Sequence, residues 1–430
     1  MIDTARAARL LGELRSNTRR SPDALRALQG RLLRDAVHHA HSNVPFYRRF
    51  WAERGFDPDT VQRVEDVTRL PVVDARTARE AVRCGELASG RAADAARAVL
   101  HTSGSTAARL PIPIGAEETR LWRAQGLRIW REHGYRWHQK KAQFDPAPGA
   151  VSTLQRLGIS RTAWIPSTDP LAAQCDRFVA ARADWVIATP TVLRRLARAL
   201  SSAGVQFRRP RGAFCAGELL DPHTRRLAQR VFGCDPVGVY ALTEVGYVAW
   251  QCERRDGFHV NVDTHLVEVL RDGKPAAPGA PGQVVVTDLR NRTLPFLRYA
   301  TGDLASWAEA PCGCGRQLPC LASLEGRCGT CVVAADGRAV SARDLVDHLS
   351  TAASPDAWRL VQRDDGAIEL GLAPGVDRNA VVAQLRQRLG DVAVSVATLP
   401  PADETREKTH PITTREASGP GDRTPGRSAP

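Results

Sequence analysis

Three short stretches carry residue types that can handle a nucleotide. His101-Thr102-Ser103-Gly104-Ser105-Thr106 sets small hydroxyl residues around a glycine. Backbone N–H and side-chain O–H groups in such a loop can surround a phosphate. The loop lacks the Gly-Lys-Ser/Thr ending of a Walker sequence. Tyr240-Ala241-Leu242-Thr243-Glu244 follows a strand-like run. There a hydroxyl and a carboxylate can hold a phosphate and its Mg²⁺ respectively. In Arg298-Tyr299-Ala300-Thr301-Gly302-Asp303-Leu304, an aspartate after Thr-Gly can accept both hydroxyls of a ribose. A fourth group is made of thiols: Cys312, Cys314, Cys320, Cys328 and Cys331 lie close together, with Cys252 and His259 upstream. Thiolates and imidazole at that density favour a structural Zn²⁺, which takes four ligands at a closed tetrahedral site. Each stretch alone is ordinary. Ser/Thr/Gly strings are mostly loops, and a carboxylate after a strand is mostly a cap or a surface ion pair.

The elements that would position these residues follow an α/β rhythm. Residues 1–40 alternate Arg with Leu and Ala at helical spacing, which predicts a helix that Pro45 ends, within an N-terminal helical segment 1–45. Residues 91–120 read helix, strand, Gly/Ser loop, strand. Trp185-Val186-Ile187-Ala188, Gly212-Ala213-Phe214-Cys215 and Val237-Gly238-Val239-Tyr240 are apolar runs separated by helical patterns at 191–200 and 221–232. This β-α-β-α-β order argues for a sheet with its chemistry at the strand ends. From about residue 257 short β-rich segments separated by Gly/Pro turns predict a β-rich subdomain. After the cysteines, a helix at 341–349, strands at 358–363 and 367–372, a helix at 376–389 and a strand at 392–398 predict a small α+β lobe. The fold class is therefore α/β: a large N-terminal domain, 1–325, with α/β sheets and the β-rich subdomain, then a small α+β lobe, 326–415, which the family resemblance described below implies is mobile. The Gly/Pro/Ser/Arg/Thr tail, 416–430, reads as disordered.

Composition narrows the class of partner. The 430 residues, 25% charged and 43% apolar, fit a folded globular protein. No apolar run is long enough for a membrane helix, so no membrane partner is expected. Met1–Arg20 is charged throughout without an apolar core, so no secretory signal is expected and the cytoplasm is the default location. The ten cysteines are then free thiols or metal ligands rather than a disulfide framework. The net charge of +13 would suit an anionic partner, but only Lys140, Lys141, Lys274 and Lys408 among 60 basic residues are lysines. That bias runs along the whole chain. No basic block alternates with aromatics as a nucleic-acid groove requires, so no nucleic-acid partner is expected.

Taken together and in this order, the three nucleotide stretches resemble the core motifs of the adenylate-forming superfamily, the acyl-CoA synthetase-like enzymes. Leu32–Ala40, Asn43-Val44-Pro45-Phe46-Tyr47-Arg48, Leu70-Pro71-Val72-Val73, Ala216-Gly217-Glu218 and Cys312-Gly313-Cys314-Gly315-Arg316 resemble its phenylacetate-CoA ligase branch. The resemblance covers about residues 30 to 410. It implies ATP-dependent activation of a small, aromatic carboxylic acid as an acyl-adenylate with release of pyrophosphate, then transfer to coenzyme A. Thr102, Ser103, Gly104, Ser105 and Thr106 would meet the pyrophosphate of ATP. Gly217 and Glu218 would lie along the adenine, Tyr240 would stack on it, and Thr243 would touch the α-phosphate. Glu244 would hold Mg²⁺, Asp303 would bind the ribose, and Arg327 would close over it. Lys408, in the small lobe, would reach the substrate carboxylate and α-phosphate, a role that suits a compact ammonium.

The chain also departs from the family pattern. Ala107 stands where the phosphate loop has glycine, with two extra residues before Pro111, and Gly329 stands where the hinge has aspartate. Ala334-Ala335-Asp336-Gly337-Arg338 replaces the small lobe's glycine-rich loop. The altered lobe keeps open an amine or a carrier protein as acceptor instead of coenzyme A, and the altered phosphate loop keeps open a catalytically silent nucleotide-binding homologue. For zinc two ligand sets compete. The resemblance favours Cys252, His259, Cys312 and Cys314; local spacing alone favours Cys312, Cys314, Cys328 and Cys331. Phe144, Trp164 and Tyr247 are candidates for the acid pocket by position.

Overall fold

A computed structural model of the chain describes residues 2–90, 98–101, 110–147, 149, 153–400 and 411–414. The 416–430 tail, expected to be disordered, lies outside them.

The N-terminal helical pattern is three helices rather than one: α1 (Ile2–Asn17), α2 (Pro22–Asn43) and α3 (Pro45–Ala52). Ser21 starts α2 as its N-cap, accepting from Ala24 N at 3.4 Å, with Pro22 in the first turn. Pro45 does not simply end a helix. Its missing N–H closes α2, and its fixed φ opens α3. The short α3 buries Phe46, Tyr47, Phe50 and Trp51. Tyr47 Oη donates to Pro295 O at 3.0 Å and accepts from Leu297 N at 2.7 Å, fixing the approach to the Arg298–Asp303 stretch. Helix α4 (Ala75–Arg83) follows. The hairpin β1 (Ala98–His101) and β2 (Pro111–Ile114) flanks the phosphate loop, and α5 (Ala116–Glu132) comes next.

The parallel strands are β3 (Lys141–Asp145), β4 (Thr162–Pro166), β5 (Trp185–Ala188), β6 (Gly212–Ala216) and β7 (Val237–Leu242), interleaved with α6 (Leu171–Ala181), α7 (Pro190–Ser202) and α8 (Pro222–Phe232). The β-rich segments do not form a separate sheet. Strands β8 (Gly246–Trp250), β9 (Phe258–Val260), β10 (His265–Arg271), β11 (Lys274–Pro275), β12 (Gly282–Asp288), β13 (Tyr299–Trp307) and β14 (Cys320–Arg327) continue the same one. Its twelve strands run β11-β10-β12-β13-β14-β9-β8-β7-β6-β5-β3-β4. The direction changes at β7, which pairs antiparallel with β8 and parallel with β6. Strand alternation divides the core. Ala142, Phe144, Ile165 and Val186 pack with Phe178, Leu193, Leu196 and Phe232 under α6–α8. Trp185 and Phe214 face the other way, toward Ile129 and Trp130 of α5.

The small lobe contains the hairpin β15 (Val332–Val333) and β16 (Ala339–Val340), α9 (Ala342–Leu349), β17 (Trp358–Gln362), β18 (Ile368–Leu372), α10 (Arg378–Leu389), β19 (Val394–Thr398) and β20 (Ile412–Thr414). Its elements match the sequence reading within two residues. Strand β20 was not foreseen; it pairs parallel with β17, and Thr414 Oγ1 donates to Gly329 O. The lobe has its own core around Trp358, Leu345, Leu360, Leu370 and Leu385. It docks on α7 through Asp356, which takes Arg194 at 3.3 Å and Arg198 at 2.9 Å. No helix among the described residues is long and apolar enough to cross a membrane.

One buried charge pair ties the large unit together. Arg128 of α5 and Asp263, in the turn after β9, are both fully buried and 2.7 Å apart. Arg128 also donates to Leu14 O of α1 at 2.8 Å and to Asn261 Oδ1 at 2.6 Å, and Asn17 Nδ2 donates to Asp263 at 3.1 Å. Arg128→Met should lower the unfolding free energy by ~3–5 kcal/mol, because it strands a buried carboxylate. Arg128→Met/Asp263→Leu should recover much of that loss. Urea denaturation of the three proteins checks it; a double variant no better than the single one would show that packing rather than charge is at stake.

Candidate active site

Of the residues expected at the nucleotide, Tyr240, Thr243, Glu244, Asp303 and Arg327 converge at the carboxyl ends of the parallel strands, where β7 hands over to β8. Tyr240 lies on β7, and Thr243 and Glu244 form the tight turn before β8. Asp303 comes from β13 and Arg327 from the end of β14, paired residue to residue. Tyr240 Oη donates to Asp303 Oδ2 at 2.7 Å, and Arg327 Nε stands 3.5 Å from Asp303 Oδ1. Gly302 has φ +80°, a left-handed conformation that turns the chain just before Asp303. Thr301 Oγ1 then accepts from Asp303 N at 3.1 Å and donates to Val284 O at 3.0 Å.

Electrostatics here are dominated by burial. Burial raises the Asp303 carboxyl, with the Arg327 guanidinium pulling it back. Burial likewise raises Glu244, again opposed by Arg327. The Tyr240 phenol is held well above its ordinary range, first by burial and then by the charge of Asp303. Arg327 is 63% exposed at its side chain, so it approaches this pair of acids from the solvent side. Two half-buried carboxylates, one phenol and a guanidinium grouped in this way suit hydroxyl and metal-phosphate groups.

Gly217 and Glu218 sit at the end of β6, Gly217 with φ +87°. The Glu218 carboxylate is engaged by the protein itself. It accepts from Thr191 N and Thr191 Oγ1, each at 2.9 Å, at the start of α7. Thr102, Ser103, Gly104, Ser105, Thr106 and Lys408 lie outside the described residues.

Two contributors escaped the sequence reading. Tyr299 Oη donates to Glu244 Oε1 at 3.4 Å. Arg298, buried and with φ +48°, forks onto Glu268 at 3.1 and 3.2 Å and donates to Leu70 O at 2.5 Å. Both residues stand in the Arg298–Leu304 motif, which was the available signal; Glu268 had none.

Of the two cysteine sets, the structure brings together Cys252, His259, Cys312 and Cys314, whose ligand atoms all lie within 4.8 Å of one another. Cys252 Sγ and Cys312 Sγ are 3.7 Å apart, and Cys314 Sγ is 3.3 Å from His259 Nε2. Thiolates on a tetrahedral zinc stand about 3.8 Å apart, from Zn–S bonds of ~2.3 Å. His259 Nδ1 lies 3.3 Å from Leu318 O, which leaves Nε2 facing the sulfurs. The donor set therefore fits Zn²⁺. Cys328 and Cys331 sit on the turn beyond β14 and are not in the cluster.

No protein-family model matches the chain. It is 27% identical to the phenylacetate-coenzyme A ligase of Thermus thermophilus over 330 residues, 71% of each chain. It is 28% identical to that of Pseudomonas putida over 323 residues, again 71% of each. Among solved structures it is similar to 2-hydroxyisobutyryl-CoA ligase in the postadenylation state with R3-HIB-AMP, with a TM-score of 0.79, 19% identity, and coverage of 93% of this chain and 91% of that one. The same ligase in its thioesterification state gives 0.64, at 20% identity over 91% of each chain. The α/β class and the resemblance to the phenylacetate-CoA ligase branch of the adenylate-forming superfamily are borne out.

The raised Glu244 carboxyl has a consequence for stability. The folded protein prefers this group protonated, so its contribution to stability falls as pH rises from the unfolded value through the folded one. Glutamine cannot ionise. Glu244→Gln should therefore melt higher than wild type near pH 7, with the gain shrinking toward about pH 4. Calorimetric melts across that range check it. A loss at neutral pH would mean that partners hold Glu244 charged more strongly than burial opposes it.

Proposed function

We propose that the chain is an ATP-dependent, AMP-forming acid–thiol ligase. It joins a small carboxylic acid of the aromatic class to the α-phosphate of ATP, releases pyrophosphate, and passes the acyl group from the adenylate to coenzyme A. The observation that carries this reading is the convergence of Tyr240, Glu244, Asp303 and Arg327 at one strand-end recess. The similarity to two phenylacetate-coenzyme A ligases along 71% of the chain supports it.

In this reading Asp303 accepts the ribose hydroxyls, oriented by Tyr240 and Thr301, and Arg327 closes over the sugar from solvent. The Tyr240 ring and the Gly217–Glu218 backbone flank the adenine, since the Glu218 carboxylate is already occupied by Thr191. Thr243 donates to the α-phosphate, and Thr102–Thr106 receive the pyrophosphate. Glu244 would hold Mg²⁺, which supplies charge neutralisation at the phosphates. Adenylation then depends on placement and electrostatics rather than on a covalent protein intermediate.

The domain division 1–325 and 326–415 belongs to the same proposal, with the small lobe turning at the 328–330 turn so that Lys408 serves the first half-reaction only. The better overlay on the postadenylation state than on the thioesterification state fits a lobe with two poses. Cys252, His259, Cys312 and Cys314 hold a structural Zn²⁺ that ties β8, β9 and the 312–314 turn. The absence of a disulfide among the ten cysteines suits a cytoplasmic setting.

A second reading of the acceptor has its own observation. Residues 334–338 close a tight hairpin turn, Ala334 N donating to Arg338 O at 2.9 Å, where the family's lobe has a glycine-rich loop. An amine or a carrier-protein thiol as acceptor would suit that difference.

ATP–pyrophosphate exchange over a panel of arylalkanoic, benzoic, hydroxy and amino acids tests the activity, and product mass with coenzyme A, an amine or a carrier protein identifies the acceptor. Lys408→Ala should depress exchange by roughly a hundredfold or more, the loss of a desolvated charge contact, and leave transfer from a supplied acyl-adenylate largely intact. Equal loss in both steps would mean a damaged lobe, and no acid supporting exchange would overturn the ligase reading. Protein purified without chelator should carry one zinc per chain, about 1 mol/mol by the four-ligand argument. Cys252→Ser should lose metal and melting temperature together, because binding energy at such a site is folding energy. Zinc retained in Cys252→Ser but lost in Cys331→Ser would move the site.

A further inference from the structure

The link between the large sheet and the small lobe is short and bracketed by thiols. Strand β14 ends at Arg327 and β15 begins at Val332, so Cys328, Gly329, Thr330 and Cys331 form the whole covalent connection. Leu324 of β14 packs against the core of the large unit, and Val332 is buried in the core of the lobe. A cysteine therefore stands at each end of the link. Neither thiol belongs to the zinc cluster, and both are free. Cys328 presents surface to solvent, and Cys331 is half-buried.

The turn brings these two side chains to one side. Residues 328–330 form a single turn of 3₁₀ helix, and Cys331 caps it. In such a turn side chains three residues apart eclipse, and a rise of ~2.0 Å per residue puts their Cα atoms about 6 Å apart. Disulfides join Cα atoms about 4.4 to 6.8 Å apart. Hydrogen bonds hold the shape of the turn: Arg327 N donates to Thr330 Oγ1 at 3.2 Å, and Thr330 Oγ1 donates to Arg327 O at 2.8 Å. Gly329, between the thiols, gives the link more backbone freedom than any side chain would leave it. Desolvation by neighbouring atoms raises each thiol, and the charges of Asp303 at Cys328 and of Glu325 at Cys331 add to it. The reduced pair is then mainly protonated at neutral pH, and exchange with an external disulfide is slow.

We propose that Cys328 and Cys331 form a reversible disulfide that fixes this link and, with it, the pose of the small lobe. The site stands on the turn alone; its effect on catalysis rests on the ligase reading above. The oxidant is a low-molecular-weight disulfide, RSSR. One protein thiolate attacks it, forming a mixed disulfide and releasing one RSH. The second thiolate attacks the protein sulfur of that mixed disulfide and releases the other RSH. Two thiols become one disulfide, and their two hydrogens leave in two RSH; excess thiol runs the steps backward. A transient disulfide of this kind is what a reducing compartment permits. In the closed ring Gly329 and Thr330 lose most of the φ/ψ range through which a pivot turns. Oxidation therefore keeps Arg327 beside Asp303 as it stands here and removes the alternative pose.

The chain's own arginines make the chemistry readable. Trypsin cuts after Arg327 and Arg338, so residues 328–338 leave as one peptide whose only cysteines are Cys328 and Cys331. Full-length protein, purified without chelator, is equilibrated with oxidised or reduced glutathione, alkylated and digested. The oxidised sample should give this peptide unalkylated and lighter by two hydrogens, and the reduced sample should give it alkylated twice. The ratio of acyl transfer from a supplied acyl-adenylate to ATP–pyrophosphate exchange should change about tenfold or more on oxidation, because each half-reaction scales with the population of its own pose. Reduced glutathione should restore it. In Cys328→Ser and in Cys331→Ser the ratio should not respond to oxidised glutathione. The peptide alkylated twice in oxidised glutathione, or carrying glutathione instead of an internal bond, overturns the site. An internal disulfide with an unchanged ratio, or a response that survives in both variants, overturns the lock and leaves the ligase reading standing. Exchange with no acid even in the reduced protein overturns the ligase reading and the lock together, while the peptide masses alone decide the site.

Discussion

The arrangement depends first on Arg128 and Asp263, a fully buried ion pair. Such a pair needs further hydrogen bonds to offset the cost of burying it. Here they come from Leu14, Asn17 and Asn261, while Arg128 Nε and Asp263 Oδ1 have no partner among the described residues. One charge therefore fixes where α1 crosses α5, and where α5 lies on the sheet. That placement sets the rest. Gly126, two residues before Arg128, meets Tyr247, and Gln125 Nε2 donates to Thr264 Oγ1 at 2.8 Å beside Asp263. Tyr247 and the turn after β9 are registered to the same helix.

The second constraint is the continuity of the sheet across the β7–β8 reversal. Parallel strands bring Tyr240 to a carboxyl edge, and the antiparallel strands return Asp303 and Arg327 to the same place. Neither half contains this group of side chains alone. The thiol–imidazole cluster lies a short way along, where Cys252 follows β8 and His259 sits in β9 opposite Cys320. The cluster sits beside the short pairings of β9, two residue pairs with β8 and two with β14.

Much of this was legible in the residues because the signals are local. The lobe's helices and strands were placed closely, since each has an unbroken period and clear turn residues. Tyr240, Glu244, Asp303 and Arg327 were named because each sits in a short motif. Long-range partnerships were not legible. Nothing near Glu218 says that its carboxylate will be taken by Thr191, and nothing near Glu268 says that it will hold Arg298. Apolar periodicity ran through Ser21, so only cap chemistry marked that break, whereas Pro45 marked its own. Between the two cysteine sets, spacing pointed to the compact one, whereas sheet register joined residues sixty positions apart.

Strand β20 changes what closes the small lobe. In the fold, β19 stops at Thr398, and β20 lies parallel to β17 and, through Thr414, against the turn at Gly329. The lobe's four-stranded sheet therefore takes one edge strand from beyond the last strand that periodicity marks. A cut before Ile412 would bare the edge of β17 and release the Gly329 turn together, so the lobe's sheet and the setting of that turn hang on the same three residues.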